Sequence, residues 1–462
     1  MALIKSISGI RGTIGGNVNQ NLTPIDVVKF TAAYGMWLKE QSRKEKLLVI
    51  IGRDARISGT MISSLVSNTL IGLGIDVLDV GLSTTPTVEI AVTLEGADGG
   101  IIITASHNPK EWNALKLLNN KGEFINAQHG ETILKIANDD AYQFSQVDFL
   151  GSYIEKTGYM EKHIACVLNL DLVDAAAIKK AKFKVVLDAV NSTGGIIVPA
   201  LLEKLGVDCI KLYCEPNGHF PHNPEPLAEH LKDISDMVVK QKADFGIVVD
   251  PDVDRLAIVC EDGSMFGEEY TLVACADYIL GKSKGNTVSN LSSSRALKDI
   301  TEKHGGNYQA SAVGEVNVVE LMKKNDSIIG GEGNGGIIYP ESHYGRDALV
   351  GVGLFLSHLA ISKLSCKMLR DSYPVYFMSI NKIELTADID VDQVLKRLAL
   401  RYKNENITTI DGLKLDFEKQ WVHLRKSNTE PIIRIYTESD SQSNADDLSK
   451  RFIREIKEIA AL

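Results

Sequence analysis

LLVIIGRDARISGTMISSLVSNTLIGLGIDV, residues 47–77, decides the fold. It opens on a short β-branched run, Leu47–Ile51, which reads as a strand buried on both faces. A polar turn follows, then Ser58–Leu73 with helical spacing, a glycine, and a second apolar strand. The same unit recurs at KVVLDAVNSTGG (184–195) with IIVPALLEKLGVDCIKLY (196–213). It recurs again at NTVSNLSSSRAL (286–297), a helix and GGNYQASAV (305–313). Three such matches predict three related α/β domains in tandem. Further strands are expected at Gly100–Thr104 and Gly246–Val249, and further helices at Gly194–Leu205 and Leu227–Gln241. From about Tyr373 the chain is more polar, alternates to Leu424, and closes on PIIRIYTES and a helix over Asn444–Ile459. That predicts a small C-terminal α+β domain. No low-complexity linker intervenes, so the domains are expected to touch and line one central cleft. Their expected bounds are 1–150, 151–256, 257–370 and 371–462.

The 462 residues are 44% hydrophobic and 24% charged, an ordinary globular composition whose length accommodates several cores. A formal net charge of -10 attracts neither nucleic acid nor anionic membrane, so any anionic substrate must meet its positive charge inside the site. The six cysteines form no C-x-x-C pair and no zinc-like cluster with histidine, as expected of a reducing compartment. The N-terminus does not read as a signal peptide, and no apolar run is long enough for a bilayer. A cytoplasmic protein is the expectation.

Four motifs carry chemistry. ITASHNPKEWNALKLL (103–118) runs a strand into a polar turn presenting Ser106 and His107, and Asn108-Pro109 stops regular structure there. The plain alternative is a capping serine. A Ser/His triad is disfavoured, because adjacent side chains diverge and no G-x-S-x-G elbow is present. ADFGIVVDPDVDRLAIVCEDG (243–263) places Asp250, Asp252 and Asp254 at the end of a strand. Three carboxylates so close repel unless a cation binds them, and Mg²⁺ suits such hard oxygen ligands. An EF-hand is rejected: its sixth position is Arg255 rather than Gly, and the flanks read as strands. IIGGEGNGGIIYP (328–340) surrounds Glu332 and Asn334 with glycines, so backbone approaches a ligand while these two grip sugar hydroxyls; a tight hairpin is the competing reading. HLRKSNTEPIIRIYTES (423–439) crowds Arg425, Ser427, Asn428 and Thr429 into a turn, with Arg434 on the next strand, as a phosphate cradle would; an ordinary polar turn is the commoner reading of S-N-T alone. Two Gly-flanked arginine sites, SGIRGTIG (8–15) and GRDARISG (52–59), suit approach to an anion, with exposed turns as the plain alternative.

Together and in this order, these motifs resemble the α-D-phosphohexomutase family. The family's T-A-S-H-N-P, D-x-D-x-D-R, G-E and R-x-S-x-T-E-P loops all occur here, with the front S-G-I-R-G and the HNPEP segment (222–226). The resemblance spans essentially the whole chain. It implies a phosphoserine domain, a metal domain, a sugar domain and a phosphate domain in chain order. It implies that Ser106 is the phosphorylated serine, with Asp250, Asp252, Asp254 and a phosphoserine oxygen as Mg²⁺ ligands. Arg11, His107, Lys116 and Arg255 would surround the transferring phosphoryl group. Glu332 and Asn334 would grip the sugar, and Arg425, Ser427, Asn428 and Thr429 the distal phosphate. Phosphate would pass between the 6- and 1-positions by way of a sugar 1,6-bisphosphate. The partner would be a small sugar phosphate, on a monomer or homodimer. The chain departs from many bacterial members at Ala114 and at GEGNGG. Phosphoglucosamine is the first-choice substrate, with a phosphomannomutase/phosphoglucomutase next. The rivals are a phosphatase or haloacid-dehalogenase-like enzyme with Asp250 as nucleophile, and a non-catalytic sugar-phosphate sensor, which would have lost Ser106 or a metal Asp.

Overall fold

The computed structural model describes residues 3–6, 9–384, 389–426 and 432–460. Residues 47–77 fold as expected: strand Leu48–Arg53, helix Gly59–Gly72 and strand Asp76–Leu82. The first sheet runs Ile4–Ser6, Gly9–Thr13, Trp112–Leu118, Gly99–Ile103, Leu48–Arg53, Asp76–Leu82, Tyr153–Glu155 in spatial order. The second sheet runs Leu256–Cys260, Phe245–Val249, Lys184–Asp188, Asp208–Leu212. The third runs Tyr308–Ser311, Asn286–Asn290, Ser327–Glu332, Gly336–Ile338.

The three sheets share a wiring. The first strand of each repeat pairs in parallel with the second and the third, and a fourth returns antiparallel to the third. The third-to-fourth connection is therefore the equivalent loop in every repeat. In the first repeat it carries Ser106, in the second the three aspartates, and in the third it follows Glu332 and holds Asn334. The C-terminal domain is a five-stranded sheet, Phe377–Glu384, Ile432–Ser439, Trp421–Lys426, Leu413–Asp416, Asn406–Thr408, antiparallel throughout. Helices Val391–Arg401 and Gln442–Ala460 contribute to its core.

Helix Ala348–Ser362 is apolar nearly all round and lies buried, as such a helix must. Through it the second and third repeats share one continuous core, running from Ile164 to Tyr373. The first domain has its own cores, and so does the last. One expected element divides. Leu227–Gln241 is a short 3₁₀ turn, Ala228–His230, followed by helix Lys232–Gln241. Leu231, at φ -107° and ψ 24°, lies outside helical geometry at the junction and is buried.

The fourth domain is docked on the third. Lys414 Nζ donates to the Leu291 carbonyl at 2.8 Å, and Arg295 donates to the carbonyls of Phe417 and Glu418. Val313 N–H donates to Asp411 Oδ2 at 2.9 Å. His423 Nδ1 meets Ser292 Oγ at 2.9 Å, while its Nε2 lies 2.7 Å from the Asp411 carbonyl. Since a carbonyl only accepts, Nε2 carries the proton and Nδ1 accepts from the serine. Burial, first of all, pushes His423 down to about 4, consistent with a neutral ring.

Candidate active site

Ser106 ends the turn after strand Gly99–Ile103, in left-handed backbone at φ 48°. Few non-glycine residues hold that geometry unless the surroundings impose it. Here they do. Ser106 N–H donates to Thr104 Oγ1 at 2.9 Å, and Arg56 clamps the loop from beneath. Every N–H of the buried Arg56 guanidinium is used. Nε pairs with Asp54 at 3.1 Å, Nη1 donates to the carbonyls of Pro109 (2.7 Å) and Trp112 (2.9 Å), and Nη2 to those of Ser106 (2.5 Å) and Asn108 (2.6 Å). The expectation that GRDARISG meets an anion is thus corrected for Arg56, which braces the serine loop instead.

Ser106 Oγ donates to Asp250 Oδ2 at 2.7 Å, and His107 Nδ1 lies 3.4 Å from Ser106 Oγ. Asp250, Asp252 and Asp254 are fully buried, and one ligand oxygen from each lies within 4.8 Å of the others. Their loop contains Val253 at φ 62°, an outlier for a β-branched residue. Burial, then the charges of Asp254 and Asp252, hold Asp250 well above the usual carboxylate range. Burial also acts to raise Asp254, but Arg346, Lys116 and Arg255 outweigh it and hold this carboxyl below its ordinary value. Asp252 Oδ1 and Asp254 Oδ1 have no hydrogen-bond partner. Hard anionic oxygens, buried, clustered and left unsatisfied, fit a divalent cation such as Mg²⁺.

Lys116 Nζ reaches Asp252 Oδ2 at 2.6 Å and Asp254 Oδ2 at 3.2 Å. Burial by itself lowers Lys116, but Asp252 and Asp254 hold the ammonium above its ordinary value. His107 goes the other way: burial, then Arg255 and Arg11, push it well below its ordinary value, so its ring is neutral at pH 7. Arg11 Nη1 donates to Asn108 Oδ1 at 3.0 Å. Arg255 lies 3.5 Å from Glu225 of the HNPEP segment, which also approaches His107 at 3.9 Å. Arg11, Ser106, His107, Lys116, Arg255, Glu332 and Asn334 all line one cleft of about 830 Å³.

Glu332 is buried at the cleft wall, accepting from Asn290 Nδ2 (2.8 Å), Gly314 N–H (3.1 Å) and Arg346 Nη1 (2.8 Å). Gly335, at φ +88°, brings the Gly-rich loop against the second repeat: its carbonyl accepts from Leu256 N–H at 2.9 Å, and a Cβ there would sit 2.4 Å from the Leu256 oxygen. Arg346 escaped the sequence reading. It joins Glu332 to Asp254 Oδ2 (2.6 Å) and Glu315 Oε2 (3.0 Å), tying the Gly-rich loop after Glu332 to the aspartate loop. Its signal is Gly345-Arg346-Asp347 before an apolar helix, which repeats the GRD of residues 52–54. Glu315 and Asn290 were missed as well.

The expected phosphate cradle is apart from this set. Arg425 Nε pairs with Asp411 at 2.8 Å, and Arg434 is exposed; neither lines the cleft described above. They are cross-strand partners, and Lys382 is the next partner of Arg434. Ser427, Asn428 and Thr429 lie outside the described residues.

Family models for "Phosphoglucomutase/phosphomannomutase" match the chain in order: alpha/beta/alpha domain I over residues 3–143, domain II over 158–263, domain III over 267–376, and the C-terminal domain over 382–455. The chain belongs to the α-D-phosphohexomutase superfamily, and its enzymatic activity is that of a phosphohexomutase. A "Phosphoglucomutase/phosphomannomutase" of Thermococcus kodakarensis is 34% identical over 438 residues, 94% of this chain and 95% of the relative. A "Phosphoglucosamine/phosphogalactosamine mutase" of Sulfurisphaera tokodaii is 30% identical over 99% of each chain. Among solved structures, a phosphoglucomutase/phosphomannomutase family protein of Burkholderia thailandensis superposes with TM-score 0.83 at 24% identity, covering 99% of this chain and 98% of that one. Aspergillus fumigatus N-acetylphosphoglucosamine mutase, solved with GlcNAc-6P and magnesium, superposes with TM-score 0.61 at 16% identity over 100% of this chain and 96% of its own. Among the described residues, no helix is long and apolar enough to cross a membrane.

Proposed function

We propose that this phosphohexomutase moves phosphate between the 6- and 1-positions of glucosamine phosphate through a phosphorylated Ser106 and a sugar 1,6-bisphosphate. The observation that carries the reading is Ser106 Oγ held at 2.7 Å from Asp250, at the edge of a buried three-aspartate cluster and in the same cleft as Glu332. In this reading residues 1–150 supply the phosphoserine, 151–256 the metal ligands, 257–370 the sugar grip and 371–462 the distal phosphate site.

Asp250, Asp252 and Asp254 would hold Mg²⁺ together with a phosphoserine oxygen. Bound there, the ion supplies positive charge to the phosphoryl oxygens. The protein supplies the rest. Arg11 and Arg255 face the cleft beside Ser106 and stabilise the charge that spreads over the equatorial oxygens during transfer. Lys116, held as a cation by Asp252 and Asp254, adds a fixed charge that needs no rearrangement. Neutral His107 accepts or donates a hydrogen bond beside the serine oxygen. The bisphosphate must then turn over, and this requires a holding site away from Ser106. Arg425 and Arg434 stand directly opposite each other on neighbouring strands. Asp411 compensates Arg425, and a phosphate placed between the two arginines would engage both guanidinium groups. With Ser427, Asn428 and Thr429 it makes the distal site.

The amino sugar is favoured because two buried carboxylates, Glu332 and Glu315, line the cleft and share one arginine, Arg346, so a protonated 2-amino group there profits more than a hydroxyl. A second reading, phosphomannomutase/phosphoglucomutase, is favoured by the 34% identity to the Thermococcus kodakarensis relative. Side-by-side kcat/KM on glucosamine, mannose and glucose phosphates decides between them. A glucosamine preference of tenfold or more supports the first, and equal or reversed preference removes it. A cytoplasmic setting, where sugar phosphates and reduced cysteines coexist, completes the proposal.

A further inference from the structure

Three carboxylates from different parts of the fold converge on one buried guanidinium. Arg346 Nη2 donates to Asp254 Oδ2 at 2.6 Å, and Nη1 to Glu332 Oε2 at 2.8 Å. Its Nε forms an ion pair with Glu315 Oε2 at 3.0 Å, and its backbone N–H donates to Glu315 Oε1 at 3.0 Å. Both ends of the residue are therefore fixed. Gly336, in the GEGNGG stretch, makes room for the side chain: a Cβ there would lie 2.3 Å from Arg346 Cδ. The other atoms near that Cβ are Arg346 Cγ at 3.1 Å and Asn334 Oδ1 at 3.2 Å, so it is chiefly the arginine that excludes a side chain at 336.

Charge decides what this sharing does. On the aspartate loop the Oδ2 atoms are taken: that of Asp252 by Lys116 and Thr85, that of Asp254 by Lys116 and Arg346. The Oδ1 atoms have no hydrogen-bond partner, although Arg255 Nε stands 4.0 Å from that of Asp254. Lys116 and Arg346 thus offset the cluster from one side and leave its other side open to an ion. A fixed cation on a ligand repels a second cation arriving at the same carboxylate, and buried charges feel this with little screening. Glu332 has the opposite need. Its other donors, Asn290 Nδ2 and Gly314 N–H, are neutral, so Arg346 is the cation that keeps this buried carboxylate ionised and aimed.

We infer that Arg346 is a positioning residue that serves the two ends of the cleft with opposite sign: it fixes Glu332 for the sugar and, through Asp254, holds down the affinity of the aspartates for their divalent cation. The inference rests on the reading above, in which the aspartates hold Mg²⁺ and Glu332 the sugar. Lys116 and Arg346 keep the cluster together whether or not the ion is present, and the cost of that permanence is weaker ion binding. Gly336 and Arg346 are a matched pair, since a side chain at 336 would push the guanidinium off both loops at once.

The test is calorimetry on the full chain carrying Ser106→Ala, in which neither phosphoserine nor turnover intervenes. MgCl₂ is titrated alone, and glucosamine, mannose and glucose 6-phosphates are titrated in chelator. Adding Arg346→Gln should tighten Mg²⁺ binding about tenfold or more, because a competing cation leaves Asp254. The same change should weaken the best-bound sugar phosphate about tenfold or more, because Glu332 loses its charged partner. Gly336→Ala displaces the guanidinium without removing its charge, and it should move both affinities in the same two directions by about threefold. If Arg346→Gln does not fold, Gly336→Ala decides. A merely structural role would loosen both ligands together, so parallel losses, or a shift confined to one ligand, overturn the inference. A parent that binds no Mg²⁺, or a Glu332→Gln variant that binds sugar phosphate as the parent does, removes the underlying reading and the inference with it.

Discussion

Replacing Arg56 by lysine keeps the charge beside Asp54 and removes the fork that shapes the serine loop. The guanidinium makes five hydrogen bonds, one to Asp54 and four to carbonyls of the loop. An ammonium has three donors, so at least two bonds are lost. Each hydrogen bond from a charged donor contributes about 1.5–3 kcal/mol. The carbonyls of Asn108 and Pro109 belong to residues that are at least partly exposed, so water replaces some of that loss. The Ser106 carbonyl, on a buried residue, has no such recourse. We expect a net cost of about 3 kcal/mol, which lowers the thermal midpoint of the first domain by roughly 6–12 °C. The larger effect falls on chemistry. Ser106 keeps its strained φ of 48° only while the loop is clamped. A displacement of ~1 Å at a reacting atom costs about 100-fold in rate, so kcat should fall by that order while KM for the sugar phosphate stays within a few-fold. Thermal melts and steady-state kinetics on the purified variant read both effects. A kcat within threefold of wild type, with an unchanged midpoint, would refute the reasoning.

Ser106→Ala should abolish most activity and remove a phosphate-sized increment from the intact mass; full activity would favour Asp250 as nucleophile. Asp252→Asn should weaken Mg²⁺ binding by calorimetry and lower kcat, and chelation of wild type should abolish turnover until Mg²⁺ is restored. Arg425→Ala should weaken all three sugar phosphates alike and leak bisphosphate, whereas Glu332→Gln should penalise glucosamine phosphate most; the opposite pattern would exchange the two roles. His423, held near 4 by burial, binds its proton more readily unfolded than folded, so its contribution is intact above about 6.5 and is lost as pH falls toward 4. The loss is ~3 kcal/mol by linkage, and His423→Gln should flatten the pH dependence of stability of the last domain over that window, as read by hydrogen exchange.

The sequence revealed what is local. The repeated strand, turn, helix and strand are legible because each lies within about 30 residues, and hydrophobic period alone separates them. Ser106 and the three aspartates are legible for a related reason: a polar cluster at the end of an apolar strand stands out. Arg346 is different. Its partners Asp254 and Glu332 stand 92 and 14 positions away, and only the packing of helix Ala348–Ser362 brings the three together. Arg56 was noticed but misread, because a Gly-flanked arginine looks the same whether it meets a phosphate or a ring of carbonyls. The division of Leu227–Gln241 was hidden because Leu231 keeps the apolar rhythm of a helix while being drawn into the core.

The unbroken core of the second and third repeats has a mechanical consequence. Two bodies that share one hydrophobic interior do not slide past each other without exposing it, so the loop of the three aspartates and the loop of Glu332 behave as a single jaw of fixed gape. Any breathing of the enzyme is left to its seams: the one with the serine-bearing domain, and the polar joint around His423 and Asp411. That joint is built from a few directional bonds rather than buried hydrocarbon, so it parts and re-forms at low cost. In the proposed reaction, an intermediate that turns end over end before its second step needs one firm wall and one door, and the hydrophobic and polar seams divide the molecule in that way.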